Sequence, residues 1–179
     1  MTKRNKVLLY LFSFLNGIII KVIKFWGKYS MNYMISLIVL LIDQLTKILV
    51  LKYLKSIGSL PIIKNIIHFT YVENRGAAFG ILQNQRLFFI IITFIVVGFI
   101  VFYFHKKDYY PKPMMIGLSL IVGGAIGNLI DRILYGFVVD FIDFRVWPVF
   151  NMADSAIVIG QILIVYVILK YDVLDQREI

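Results

Sequence analysis

The sequence predicts an all-α membrane protein: four transmembrane helices with a small β-rich element on the extracytoplasmic side. Three observations predict it. Of the 179 residues, 60% are hydrophobic and only 16% charged, well beyond the apolar share of a soluble domain. Four separate apolar stretches approach the ~20 residues that a helix needs to cross a bilayer. Between the first two lies a run of β-branched and aromatic residues, IIKNIIHFTYV, the composition of strands. The length accommodates one helical bundle and little else, so a single domain is expected.

Taken in order, residues 1–32 form a basic and apolar extension. Val7 to Ile20 is apolar but short for a crossing, with Lys3, Arg4 and Lys6 before it and Lys21, Lys24 and Lys28 after it. Positive charge at both ends disfavours spanning, and GIIIKVIKFW offers no small-residue cleavage site. The segment reads as an interfacial amphipathic helix whose lysines face anionic headgroups. A rival reading starts translation at Met31 or Met34. The core, residues 33–170, contains spans at Tyr33 to Leu51, Leu87 to Phe104, Met114 to Leu134 and Ala153 to Leu169. Residues 171–179 are a tail.

Orientation follows from lysine and arginine. The N-terminal segment and the loop His105 to Pro113, with Lys106, Lys107 and Lys112, belong on the cytoplasmic side, as does the tail with Lys170 and Arg177 flanking it. Both termini are then cytoplasmic, and the loops Lys52 to Arg86 and Tyr135 to Asn151 lie outside. The first is too long for a bare connector. It is β-rich over residues 59–80, where IIKNIIHFTYV reads as a strand or hairpin and the glycines of VENRGAAFG, Gly76 and Gly80, permit turns.

Several function classes drop out. There is no cysteine, hence no disulfide, thiolate nucleophile or iron–sulfur cluster. The net charge of +9 raises nucleic acid as a partner, but the basic residues flank apolar runs instead of forming a stripe with interleaved aromatics. His68 and His105 lack metal-ligand spacing and fall on opposite sides. Neither a metal nor an organic cofactor is expected.

Charge near hydrocarbon is costly and marks candidate functional residues. Three of the four spans carry it. Asp43 and Lys47, four residues apart, read as an intrahelical pair or as braces for other charges. In GGAIGNLIDR, Gly123 and Gly127 make a small-residue face for helix approach, while Asn128, Asp131 and Arg132 share one helical face. Asp131 reads equally as a charge-balancing residue. The fixed donor fork of Arg132 suits a peptide carbonyl or a lipid oxygen near the headgroups, and the Asn128 amide suits a substrate backbone.

Asp154 alone reads as part of a capping box with Asn151 as N-cap. Asp140, in VVDFID, has no such explanation, and Asp143 beside it reads as a solvated interfacial acid. Jointly, Asp140 and Asp154 fall at the outer surface. Two carboxylates in one site cannot easily both ionise and titrate as a unit, which is acid–base machinery for water attack on an amide. A serine–lysine dyad from Ser119 or Ser155 with Lys47 lacks a strained nucleophile turn. Competing classes are a small proton-coupled transporter, with Asp43, Asp131, Asp140 and Asp154 as a relay, and a non-catalytic assembly protein using the glycine face.

The ordered set IDQLTK, VENRGAAFG, GNLIDR, VVDFID and FNMADS closely resembles bacterial lipoprotein signal peptidase, or signal peptidase II, over about residues 33 to 170. The resemblance implies a four-span aspartic endopeptidase of the bacterial cytoplasmic membrane with an extracytoplasmic β-cradle. It would cleave prolipoproteins on the amino side of a diacylglyceryl cysteine. The catalytic pair would be Asp140 and Asp154; the substrate-binding residues Asn128, Arg132, Asn74 and Asn151; the supporting polar residues Asp43, Lys47 and Asp131. Globomycin-type inhibitors, membrane lipids and a monomeric state are the partners and assembly expected with it. The N-terminal extension departs from the family, whose members usually begin a few residues before the first span.

Overall fold

The computed structural model describes residues 29–77, 81–106 and 111–175. The expected interfacial helix, Gly80 and Arg177 lie outside these residues. Ile35–Ile179 forms one compact unit of the chain.

Four helices are long and apolar enough to cross a membrane: α1 (Tyr29–Leu54), α2 (Arg86–Lys106), α3 (Lys112–Leu134) and α4 (Met152–Asp175), the last apolar enough over Met152–Lys170. Their outward faces are greasy. Leu41, Leu45, Phe94, Phe99, Ile162 and Leu169 are all about half exposed or more, as lipid-facing residues are.

In lipid, apolar surface does not drive helices together, so close packing and polar pairing must. The buried face of α3 is accordingly small and polar, with Ser119, Gly123, Gly124, Gly127, Asn128 and Asp131. A methyl group on Gly123 would lie 2.6 Å from the Ser36 carbonyl of α1, and one on Gly127 would strike the Asp43 carboxylate. The expected glycine face is therefore the α1 contact. On the other side of α3, Gly117 and Gly160 of α4 meet reciprocally, each one's added methyl falling 2.5–2.7 Å from the other's carbonyl oxygen.

A three-stranded antiparallel sheet caps one end of the bundle, with β1 (Ser59–Ile63), β2 (Ile67–Asn74) and β3 (Val138–Asp143) in that order. The expected strand or hairpin is the β1–β2 hairpin, turning at Asn65, which adopts a positive φ of 64° that asparagine tolerates. The last turn of α1, Val50–Leu54, is π-helical and supplies Val50 and Leu54 to an apolar cluster with Val139 and Phe141. Strand alternation turns Asp140, between the last two, to the opposite face.

β3 was not anticipated. VVDFID is short, apolar and broken by two acids, so its pairing with β2, Asn74 opposite Val138 and Val72 opposite Asp140, is decided by tertiary contact. This corrects the reading of Asp143 as solvated. It is 5% exposed and accepts hydrogen bonds from Thr70 (2.8 Å) and from the backbone (2.7 Å) and guanidinium (3.1 Å) of Arg145. Burial opposes its charge, but these donors outweigh burial and hold the carboxyl below its ordinary range.

The close α3–α4 approach has a measurable consequence. Gly160→Val is expected to cost about 1–3 kcal/mol through overpacking and to lower the thermal midpoint in detergent by several degrees. Gly98→Ala on α2, where an added methyl meets nothing within 4 Å, is expected to leave it unchanged.

Candidate active site

Three elements converge where α3 ends, α4 begins and β3 passes between them. Asp140 is 1% exposed, and each of its oxygens is taken by an asparagine amide: Oδ1 by Asn151 at 2.6 Å and Oδ2 by Asn74, at the end of β2, at 2.9 Å. Asp154 lies in the first turn of α4. Its Oδ1 accepts from Asn128 Nδ2 at 2.8 Å and its Oδ2 from the Asn151 backbone N–H at 3.3 Å. Asn151 Oδ1 in turn accepts from the Asp154 N–H at 2.9 Å. That reciprocal pair is the capping box expected from FNMAD.

Asn151 thus bonds both aspartates, Asp140 through its side chain and Asp154 through its backbone. The cap and the acid pair are one arrangement. Burial, and then the charge of Asp154, push the Asp140 carboxyl up to about 7, against the opposing influence of Asn74, Asn151 and Lys47.

Beneath this pair lies a second charged group. Lys47, 2% exposed, places its ammonium 2.9 Å from Asp43 Oδ2, 2.9 Å from Asp131 Oδ2 and 2.9 Å from Asn128 Oδ1. Both expectations for Asp43 and Lys47 hold, as an i,i+4 pair and as a brace. The two carboxylates also reach the backbone beside the acid pair. Asp43 Oδ1 accepts from the Ala153 N–H at 2.9 Å, and Asp131 Oδ2 from the Val139 N–H at 3.0 Å. Each is the residue immediately before one of the paired aspartates.

Arg132 lies on the same side of α3. Its guanidinium packs 4.6 Å over the Phe89 ring and donates to the Gly76 carbonyl at 3.3 Å. Gly76 N–H in turn donates to Asn74 Oδ1 at 3.0 Å. Asp140, Asp154, Asn74, Asn128 and Arg132 all line one cavity of about 830 Å³. Its remaining wall is largely apolar, with Ala125 and Ile157 among its residues, and Phe144, Trp147 and Phe150 contribute an aromatic side.

Asp140, Asp154, Asn128, Arg132, Asn74, Asn151, Asp43, Lys47 and Asp131 all fall in this cluster. Asn74 and Asn151, assigned to substrate by the resemblance, direct their amides to Asp140. Sequence reasoning missed Gln44, whose amide donates at 3.2 Å to Asp43, to Asp131 and to the Gly127 carbonyl. Its position next to Asp43 in IDQLTK was the available signal. Among the described residues, no group of three or more histidine or acidic side chains is arranged to hold a metal ion.

A multi-pass helical bundle whose carboxylate pair, buried at Asp140 and half-buried at Asp154, opens on a largely apolar cavity has the arrangement of a membrane-embedded aspartic peptidase. Residues 35–170 match the family model for signal peptidase (SPase) II, and the chain belongs to that family. It is 53% identical over 135 residues to a lipoprotein signal peptidase of Halothermothrix orenii, covering 75% of this chain and 92% of the relative. It is 54% identical over 140 residues to one of Caldanaerobacter subterraneus, covering 78% and 96%. A solved structure described as a bacterial membrane enzyme, determined in meso at 2.3 Å, superimposes with a TM-score of 0.73 at 40% identity, covering 79% of this chain and 88% of that one. A second, at 1.9 Å, gives 0.71 at 41% identity, covering 79% and 94%.

The raised Asp140 carboxyl links stability to pH. Below about pH 4 the group is protonated whether folded or unfolded, and this contribution is fully present. As pH rises towards 7 the unfolded chain ionises while the folded one keeps its proton, so stability is lost by about 4 kcal/mol in all. Above 7 the loss levels off. Equilibrium unfolding in mixed detergent across this range should show the decline in the parent and a shallower slope in Asp140→Asn.

Proposed function

We propose that this signal peptidase acts on prolipoproteins whose cysteine already carries diacylglycerol, cutting on the amino side of that cysteine with Asp140 and Asp154 as the catalytic pair. The observation that carries the reading is the shared Asn151: two carboxylates are bonded to one residue at the edge of a largely apolar cavity in a membrane bundle. A lipid-modified peptide is the substrate such a cavity suits, its chains in the apolar part and its scissile amide at the acids.

In this mechanism Asp154 is the base. It sits at the positive end of α4, where a carboxylate is stabilised, and accepts N–H donors at both oxygens. It takes a proton from water as the water oxygen bonds to the scissile carbonyl carbon. Asp140, whose carboxyl is raised to about 7, gives its proton to the amide nitrogen as the C–N bond breaks. Exchange with water then resets the pair. Arg132, and the Asn128 amide hydrogen not given to Asp154, hold the substrate backbone. The setting is the bacterial cytoplasmic membrane, with both termini cytoplasmic and the pair near the extracytoplasmic face.

A proton-relay transporter is less well supported, because Asp43 and Asp131 share Lys47 directly beneath the pair instead of being spaced through the bilayer. Incubating the purified chain with a diacylglyceryl prolipoprotein distinguishes the readings. Cleavage blocked by globomycin is expected, with Asp140→Asn and Asp154→Asn each reducing turnover at least ~1,000-fold while remaining folded. Near-native turnover by either variant would contradict the assignment. Proton flux in proteoliposomes without cleavage would favour transport.

A further inference from the structure

An asparagine amide has two ends of nearly equal size and opposite hydrogen-bonding character, so its orientation is set by its neighbours. Each aspartate of the pair receives N–H from asparagine: Asp140 from Asn74 and Asn151, Asp154 from Asn128. If any amide rotated by half a turn, its carbonyl oxygen would face a carboxylate. In each of the three, the carbonyl oxygen is occupied by a group that can only donate. For Asn74 it is the Gly76 N–H, and for Asn151 the Asp154 N–H. Both belong to the backbone. For Asn128 it is the Lys47 ammonium at 2.9 Å, with a further contact from Asn151 Nδ2 at 3.1 Å.

The Asn151 contact is the weaker hold. Nδ2 has two hydrogens, and Asp140 Oδ1 at 2.6 Å and the Val139 carbonyl at 3.4 Å also draw on them. A charged donor forms the stronger bond, roughly twice a neutral one. Asn128 is 7% exposed and Lys47 2%, so water has little access to replace it.

We propose that Lys47 is a positioning residue for the reaction: it fixes the Asn128 amide so that its N–H faces Asp154, independently of the charge it balances on Asp43 and Asp131. The proposal rests on the assignment of Asp140 and Asp154 as the catalytic pair. Unlike the two backbone donors, this one can be removed by substitution. Lys47 touches neither substrate nor the attacking water. Its loss reaches the chemistry through Asn128.

Removing Lys47 alone would leave two buried carboxylates without their partner, and lost stability would obscure lost positioning. The test therefore compares two variants, both carrying Asp43→Asn and Asp131→Asn, whose amide oxygens still accept the Ala153 and Val139 N–H groups. One keeps Lys47; the other adds Lys47→Met. The first retains the donor but leaves the lysine without carboxylates, while the second is neutral and has no donor. Thermal midpoints, kcat and KM are measured on a diacylglyceryl prolipoprotein substrate. The expected order is opposed: the Lys47→Met variant is the more stable, yet its kcat falls roughly 30- to 100-fold with KM changed less than about 3-fold. The variant that keeps Lys47 stays within about 5-fold of the parent.

Recovery of parental kcat in the folded Lys47→Met variant would overturn the proposal, reducing Lys47 to charge balance. If that variant does not fold, the Lys47-retaining variant decides alone. Folded with kcat within about 5-fold of the parent, it supports the proposal; folded with kcat down 30-fold or more, it overturns it. Asp154→Asn is run alongside. Near-native turnover there would mean that the catalytic assignment itself had failed, an outcome separate from failure of the Lys47 role.

Discussion

The Lys47 ammonium, placed between Asp43 and Asp131 and against the Asn128 amide oxygen, is the constraint around which α1, α3, α4 and β3 assemble. Three formal charges almost without solvent exposure are costly unless paired and hydrogen-bonded. Here every carboxylate oxygen has a donor: Ala153 N–H and Lys47 on Asp43, Gln44 and Lys47 on Asp131, with Val139 N–H sharing the Lys47-bound oxygen. Satisfying those acids requires α1, α3, the start of α4 and β3 to meet at one point. The glycine face on α3 follows from the same need, since only without a side chain at Gly127 can the Asp43 carboxylate lie against α3.

The second acid pair is held by the same elements. Asp43 and Asp131 fix the backbone immediately before Asp154 and Asp140, and Asn128 extends the Lys47 contact to the Asp154 side chain. A helix start that would need capping in any protein is tied to the strand acid because its N-cap side chain, Asn151, also reaches Asp140. Backbone geometry thus holds one aspartate on a strand and the other on a helix. Two carboxylates brought together on rigid elements cannot relieve their repulsion by moving apart. A proton retained on Asp140 relieves it, and relieves the larger cost of burial as well.

Much of this was legible in the sequence because hydrocarbon makes polar residues conspicuous. Asp43, Lys47, Asn128, Asp131 and Arg132 stand out within apolar runs, and helical spacing already grouped them by face. FNMAD announced both its cap and its acid. The strand β3 did not announce itself, because nothing local in VVDFID sets its register; Asn74 and Val72 of β2 do. The misreading of Asp143 has the same origin. Its donors are Thr70, far away in the chain, and Arg145, whose backbone N–H and guanidinium both turn back onto the carboxylate. The amide orientations were equally hidden, since the partner of each asparagine oxygen is settled only once α1, α3 and α4 have packed.

The central claim is that Asp140, buried beside Asp154, keeps its proton up to about pH 7. Infrared difference spectroscopy across a pH titration, with the parent protein and Asp140→Asn in the same lipid, tests it most directly. One protonated carboxyl band should disappear in the parent as pH passes about 7, and Asp140→Asn should lack that transition. A parent in which no carboxyl titrates near 7, or in which the same transition survives in Asp140→Asn, would contradict the account.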